Sequence, residues 1–144
     1  MGVRVVAAGA ALLVTSIVWS GTSAASVSSQ KTTKDGVYTK AQAERAAPQY
    51  AKICANCHDP ARVPDGKKPG PLLVGDAFLE RWNDKMLGEL MTLIRLTMPN
   101  DGSATITTDE AVDLTAYILQ ANKFPEGKEE LKNDEAGKKI VILK

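Results

Sequence analysis

Apolar residues recur three and four positions apart in three stretches of the chain, a spacing that predicts amphipathic helices. The stretches are Ala43, Ala46, Ala47 and Tyr50; Leu87, Leu90, Met91 and Ile94; and Ala111, Leu114, Tyr117, Ile118 and Ala121. Outside them, only residues 140–143 resemble a strand. The pattern therefore predicts an all-α domain of three to five helices.

Capping residues predict where the first and last of these helices begin. Thr39 and Gln42 have the spacing of a capping box, in which each side chain bonds the other residue's backbone N–H. Thr107 and Glu110 repeat the pattern before the last helix, and Pro125 follows its end.

Two features of the helices are less regular. Asn83 or Asp84 is the candidate cap of the middle helix, which we expect to end near Leu96, before Pro99. Pro48 lies inside the first helical pattern and lacks a backbone N–H, so we expect that helix to kink or restart there.

The first 25 residues have the layout of a secretory signal peptide. Arg4 precedes the apolar run 5–19, and the small residues of 20–25 follow it. An apolar run of about 15 residues is short for a bilayer span. We expect cleavage after Ala24 or Ala25 and export to the periplasm; a retained leader acting as a membrane anchor is the alternative.

The rest of the chain divides by composition. Residues 26–36, rich in Ser, Thr and Lys, predict a flexible lead-in, and 37–124 hold the helical patterns of one small domain. Residues 59–75 are dense in Pro and Gly and predict an irregular loop that can still line a cofactor pocket. The tail 125–144 is charged, which predicts a solvated or wrapping segment.

The charge balance excludes one class of partner. The chain has 18 Lys and Arg against 17 Asp and Glu, and Arg4 is the only charged side chain of the leader. Removal of the leader would leave a formally neutral protein with acids and bases interspersed. Nucleic-acid binding needs basic residues concentrated on one face, so no nucleic-acid partner is expected.

The chemistry is carried by the segment Cys54-Ala55-Asn56-Cys57-His58. Cys-x-x-Cys-His is the signature of c-type haem attachment, because two thiols bond the haem vinyl groups and the adjacent imidazole reaches the iron. Residues i and i+3 lie on one side of a helical turn, which suits this task. We predict one haem c, bound covalently through Cys54 and Cys57.

Two other uses of this motif lack support. A thioredoxin-like redox pair would need a surrounding βαβ pattern, and a zinc site would need further Cys or His ligands. The chain has two cysteines and one histidine, all of them inside the motif.

The single histidine also limits the second axial ligand of the iron, which must be methionine, lysine, solvent or nothing. Met98 follows the end of the middle helix and precedes Pro99, where its side chain is not needed for helix packing. We therefore predict His58 and Met98 as metal ligands, with Met91 and Met86 as lesser candidates. A gap-filling core role is the alternative for Met98.

These residues resemble the class I cytochrome c family over most of the chain after the leader. Residues 70–75 are similar to the family's Gly-Pro-x-Leu-x-Gly loop, whose proline carbonyl accepts a hydrogen bond from the proximal imidazole. The resemblance implies that Pro71 orients His58 and that Leu73 borders the haem. Residues 97–99 resemble the distal ligand segment, which adds weight to Met98.

Further positions extend the resemblance. Tyr50 and Ala46 match an aromatic and a small residue of the family's first helix, and 113–117 are similar to the last helix that packs across it. Trp82 is a candidate for contacting a haem propionate, or else a core aromatic. Pro48 and the neutral charge depart from the family, and the second departure weakens any carry-over of a lysine-ringed docking surface.

The resemblance implies a small cytochrome c fold around one covalently bound haem. Residues 36–39, 75–78 and 117–125 look like bacterial cytochromes that accompany periplasmic quinoprotein dehydrogenases. We therefore expect a monomeric electron carrier, without a small-molecule substrate, between a periplasmic dehydrogenase or membrane complex and an acceptor such as a terminal oxidase. The alternatives are a haem subunit tethered in a dehydrogenase complex and a haem peroxidase or gas sensor, which needs an open iron site.

Overall fold

Helices form the regular structure of this protein, which is described by a computed structural model over residues 1–2, 29–59, 61–62 and 68–144. The elements are a 3-10 helix Thr33–Asp35, α1 Lys40–Gln49, a π-helical turn Tyr50–Cys54, α2 Ala55–His58, α3 Asp76–Trp82, α4 Leu87–Thr97, α5 Thr108–Ala121 and α6 Glu135–Lys138. Because α1, the π-helical turn and α2 follow without a break, the α and π elements of this part form five helical segments. The prediction of an all-α domain of three to five helices is confirmed.

Thr39 is the N-cap of the first helical segment, and its hydroxyl accepts a hydrogen bond from the backbone N–H of Gln42 at 3.2 Å. The expected capping box is only half formed, because the Gln42 side chain is buried and bonds Asp113 and Leu131 instead. The helix was expected to kink or restart at Pro48; it does not restart there, and its regular α-helical geometry changes just after Pro48. Pro48 lies in the last turn of α1 and lacks a backbone N–H. The helix does not end there but continues into the wider π-helical turn.

The second helical pattern is confirmed in its buried face but not in its cap. Leu87, Leu90, Met91 and Ile94 are all buried, and α4 ends at Thr97. The cap prediction at Asn83 or Asp84 is wrong, because Met86 is the N-cap and its backbone N–H donates to the Glu89 carboxylate at 3.2 Å. The backbone N–H of Asp84 is bonded to the tail at Ile142 instead.

The last long helix, α5, packs across α1. Its predicted capping box is complete: the Glu110 N–H donates to the Thr107 hydroxyl at 3.3 Å, and the Thr107 N–H donates to the Glu110 carboxylate at 2.7 Å. The small side chains of Ala43 and Ala46 are fully buried in this region, which suits a close helix crossing.

The tail wraps around the domain, and the described part of the lead-in is packed against it. Thr33 is completely buried, and its N–H donates to the Val141 carbonyl, while the Val141 N–H donates to Lys31. Ile140 and Ile142 bond the backbone on either side of Met86 and belong to the core. The lead-in was expected to be unpacked because it lacks large apolar residues, yet backbone pairing with the tail fixes it.

Some predictions fall outside the described residues. The signal peptide, apart from residues 1–2, lies there, as do lead-in residues 26–28 and the loop residues Pro60, Pro64 and Gly66. Export and cleavage therefore stay predictions. In the described part of the chain, no helix is both long and apolar enough to cross a membrane.

Candidate haem site

The two cysteines of the motif stand at the end of the first helical segment. Cys54 closes the π-helical turn and is half-buried, and Cys57 lies in α2 and is exposed. Burial raises the pKa of the Cys54 thiol to about 11, with a smaller contribution from neighbouring Cys57. A thiol that stays protonated at neutral pH is a poor redox nucleophile, which argues against a thioredoxin-like pair.

His58 is oriented by the loop that follows the motif. Its ring Nδ1 lies 2.7 Å from the Pro71 carbonyl oxygen. A carbonyl can only accept, so Nδ1 carries the proton and donates, and Nε2 keeps the lone pair that a metal would need. This contact is the one that the family resemblance implies.

Gly70 allows this loop to approach the imidazole closely. Its backbone N–H donates to the Cys57 carbonyl at 2.8 Å. A Cβ at position 70 would lie 3.0 Å from both Nδ1 and Cε1 of His58, which is shorter than an ordinary van der Waals contact. A side chain at this position would therefore require the ring or the loop to shift by a few tenths of an ångström.

The far end of the same loop is bonded to Asn122, the C-cap residue of α5. The Asn122 side-chain oxygen accepts the Gly75 N–H at 2.9 Å, and its side-chain nitrogen donates to the carbonyls of Leu73 and Ile118, each at 2.8 Å. The sequence analysis did not identify Asn122. An asparagine directly after a helix was a local signal for a cap, but nothing local pointed to the loop.

One cavity of about 290 Å³ is lined by all seven sequence-predicted site residues, namely Cys54, Cys57, His58, Pro71, Leu73, Trp82 and Met98. This volume is near the lower end of the ~300–1,000 Å³ usual for cofactor sites. Most of the remaining lining is apolar and comes from the π-helical turn, α4, α5 and the segment before α5: Ile53, Leu90, Leu93, Ile94, Ile106, Leu114 and Ile118. The sequence analysis did not single these out as site residues.

The methionines differ in their positions. Met98 directly follows α4, is half-buried and lines the cavity. Met91 is buried in the core without lining this cavity, and Met86 is 46% exposed. Of the methionines in the described residues, Met98 alone offers a thioether to the cavity.

Trp82 takes part in both the core and the cavity wall. It is 7% exposed, and its ring centroid lies 6.3 Å from that of Phe78. Lys68 and Arg81 line the same cavity as cationic residues that the sequence analysis did not single out. A contact between the Trp82 indole N–H and a haem propionate stays a prediction.

The donor set fits a c-type haem. Two free thiols three residues apart, an imidazole whose Nδ1 proton is fixed and a thioether all border an apolar cavity. A zinc site fits less well, because the described residues contain no group of three or more His, Cys, Asp or Glu side chains able to hold a metal ion.

A small all-α domain that presents Cys-x-x-Cys-His to such a cavity is a c-type cytochrome, whose function is electron transfer through covalently bound haem. The chain belongs to the family described as cytochrome c oxidase, cbb3-type, subunit III, whose family model matches residues 41–118, more than half of the 144 residues. No curated protein and no solved structure matches the chain.

Proposed function

We propose that this protein is a monohaem class I cytochrome c that carries single electrons in the periplasm. The observation that carries the proposal is the single cavity lined by both motif cysteines, His58 and Met98. Both cysteines and the only histidine of the sequence lie within residues 54–58, which supports one haem per chain.

Each of these residues has a defined task in the proposal. The thiols of Cys54 and Cys57 would attach the cofactor, and Nε2 of His58 would bind the iron because Nδ1 is engaged by Pro71. When bound, the haem supplies the one-electron couple of its iron. The Met98 thioether would supply the second ligand, a soft donor that favours Fe(II) and raises the reduction potential.

A site closed by two protein ligands supports electron transfer over catalysis. A peroxidase or a gas sensor needs an iron position that is open to peroxide or a diatomic gas. The only histidine is used on the proximal side, so no distal histidine is available to assist such chemistry.

The proposed partners are an electron donor and an electron acceptor. The matched family is named as a subunit of an oxidase, which supports a terminal oxidase as the acceptor. The resemblance to cytochromes of quinoprotein dehydrogenases supports a periplasmic dehydrogenase or a membrane complex as the donor. Interfaces of this kind are small and short-lived, so partners can exchange at each turnover.

A bound haem subunit is the second candidate, because the matched family is described as a subunit and not as a free carrier. Fractionation of cells without detergent separates the two. Recovery in the soluble periplasmic fraction supports the carrier, and recovery with membranes, released only by detergent, supports the subunit. Recovery in the cytoplasm would contradict both.

An optical spectrum of the purified protein, reduced and oxidised, tests the proposal most directly. We expect the bands of a low-spin haem c and, in the oxidised state, the Fe(III)–sulfur charge-transfer band of methionine ligation. A high-spin spectrum would contradict the closed site and favour a catalyst or sensor.

Met98→Ala tests the second ligand. We expect covalent haem to remain, the reduction potential to fall and cyanide to bind, because the thioether is lost. Met86→Ala is the matched control, since Met86 is exposed and does not line the cavity. Survival of the Fe(III)–sulfur band in Met98→Ala would show that another residue is the ligand.

The attachment is tested with the double variant Cys54→Ala/Cys57→Ala. We expect its haem to be extracted by acidified organic solvent, whereas the wild-type chain keeps its haem through thioether bonds. Retention of haem by the double variant would contradict covalent attachment at the motif.

A further inference from the structure

The loop that orients His58 has little packing of its own. Pro71 is exposed, Leu72 and Val74 are each 41% exposed, and only Leu73 and Gly70 are partly covered. Leu73 is the loop residue that packs against the core. Hydrogen bonds at the two ends of the loop add to this contact.

At one end the Gly70 N–H donates to the Cys57 carbonyl, so the loop is tied to the motif itself. At the other end the Asn122 side chain accepts a hydrogen bond from the Gly75 N–H and donates one to the Leu73 carbonyl. The Pro71 carbonyl, which accepts from His58, lies between these two anchors.

Asn122 is itself immobilised on the core. Its side-chain nitrogen also donates to the Ile118 carbonyl, and Ile118 is 2% exposed within α5. The amide orientation follows from its partners, because the oxygen faces an N–H donor and the nitrogen faces two carbonyl acceptors. A single side chain thus connects a buried helix to an exposed loop.

We propose that Asn122 is a positioning residue for the proximal histidine, setting the place of the Pro71 carbonyl and so the strength of its hydrogen bond with His58. This inference rests on the proposed function and deepens it. A stronger hydrogen bond from Nδ1 makes the imidazole a better donor to the iron, which favours Fe(III). Loss of the Asn122 bonds should weaken that hydrogen bond and raise the reduction potential.

The test uses the fact that the chain has one histidine. Haem-loaded, reduced protein grown with ¹⁵N-histidine shows a single imidazole by NMR, and exchange of its ring N–H with solvent reports the His58–Pro71 bond. We expect Asn122→Ala to accelerate this exchange about tenfold, because two hydrogen bonds to the loop are lost and each contributes about threefold. The reduction potential should rise in the same variant.

Asn122→Asp gives a second variant. A carboxylate keeps an acceptor for the Gly75 N–H but places an oxygen, which cannot donate, against the Leu73 carbonyl, so exchange should be faster than in wild type. The added negative charge lowers the potential on its own, so exchange is the readout for this variant. If Asn122→Ala fails to fold, this variant decides: a wild-type exchange rate in it would overturn the proposal.

Gln42→Ala is the matched control. The Gln42 amide also takes part in three hydrogen bonds, with Asp113 and with the N–H and carbonyl of Leu131, and it does not line the cavity. It should lower stability while leaving His58 exchange and the potential at wild-type values. Equal changes in Gln42→Ala and Asn122→Ala would reduce Asn122 to a general structural role and overturn the proposal.

The proposed function fails separately from this inference. A wild-type spectrum without haem, or without a His–Met signature, would contradict the function before any variant is compared. A normal wild-type spectrum with unchanged exchange and potential in Asn122→Ala would contradict only the role of Asn122.

Discussion

At the scale of single residues, the position of His58 depends on one hydrogen bond and on the absence of a side chain at Gly70. The His58 ring Nδ1 donates to the Pro71 carbonyl at 2.7 Å, and Gly70 gives the loop room to reach it. The motif was accessible from the sequence because it is a short local pattern, and the role of Pro71 was implied by the resemblance of residues 70–75 to a loop of the class I cytochrome c family. Asn122 was not accessible, because its loop partners are 47 and 49 positions away.

Gly70→Ala should disturb the imidazole. The added Cβ would lie 3.0 Å from two ring atoms, so the ring or the loop must move. We expect a loss of about 1–3 kcal/mol in the free energy of unfolding, typical of overpacking, and a changed reduction potential. Denaturant titration and potentiometry measure the two effects.

Leu72→Ala is the control for this prediction, since Leu72 belongs to the same loop, is exposed and does not line the cavity. It should change stability by less than about 0.5 kcal/mol. Equal behaviour of the two variants would show that crowding of His58 is not the cause.

At the scale of elements, helix starts were predictable where both the cap and the apolar period were local. The capping box of α5 formed as expected, whereas the expected partner of Thr39 was drawn into the core by Asp113 and Leu131. The short helix α3 was missed because it has seven residues and its two buried side chains give no sustained period. Contacts between residues distant in the sequence determined the outcome where the local pattern did not.

Glu110→Gln tests the capping box of α5 through pH. The Thr107 backbone N–H, then its hydroxyl and the Gln49 amide, lower the pKa of Glu110 below its usual 4.5. A lowered native pKa stabilises the fold above the unfolded pKa, and this stabilisation is lost as pH falls through the native value. Between neutral pH and about pH 3, Glu110→Gln should therefore lose less stability than wild type.

The control is Asp109→Asn, which removes an exposed negative charge from the same first turn. It measures how much a carboxylate there contributes through the helix dipole alone. Chemical unfolding at several pH values gives the comparison. An acid-induced loss that is the same in wild type and Glu110→Gln would show that the cap contributes nothing to acid stability.

At the scale of the whole molecule, the tail and the lead-in complete the domain. Ile140 and Ile142 flank Val141, which bridges Thr32 on one side and Met86 on the other. These backbone pairings join segments more than fifty residues apart and need no particular side chains. For that reason the sequence predicted a strand-like run at 140–143 without predicting what it would pair with.

Ile142→Ala tests how much the tail contributes to the core. Ile142 is fully buried, so truncation should lower the free energy of unfolding by about 2–5 kcal/mol. Leu143→Ala, at the half-buried neighbouring position, should cost clearly less. Similar small losses in both would mean that the tail lies on the domain without stabilising it.

The π-helical turn Tyr50–Cys54 changes the direction in which the side chains after it point. Each residue of an α-helix advances the side-chain direction by about 100°, so an uninterrupted helix would fix the direction of Cys57 from that of Ala46. A π-helical turn uses more residues for the same rotation. The face that crosses α5 and the face that carries the haem motif are therefore offset from each other, and the offset lies in the turn that follows Pro48.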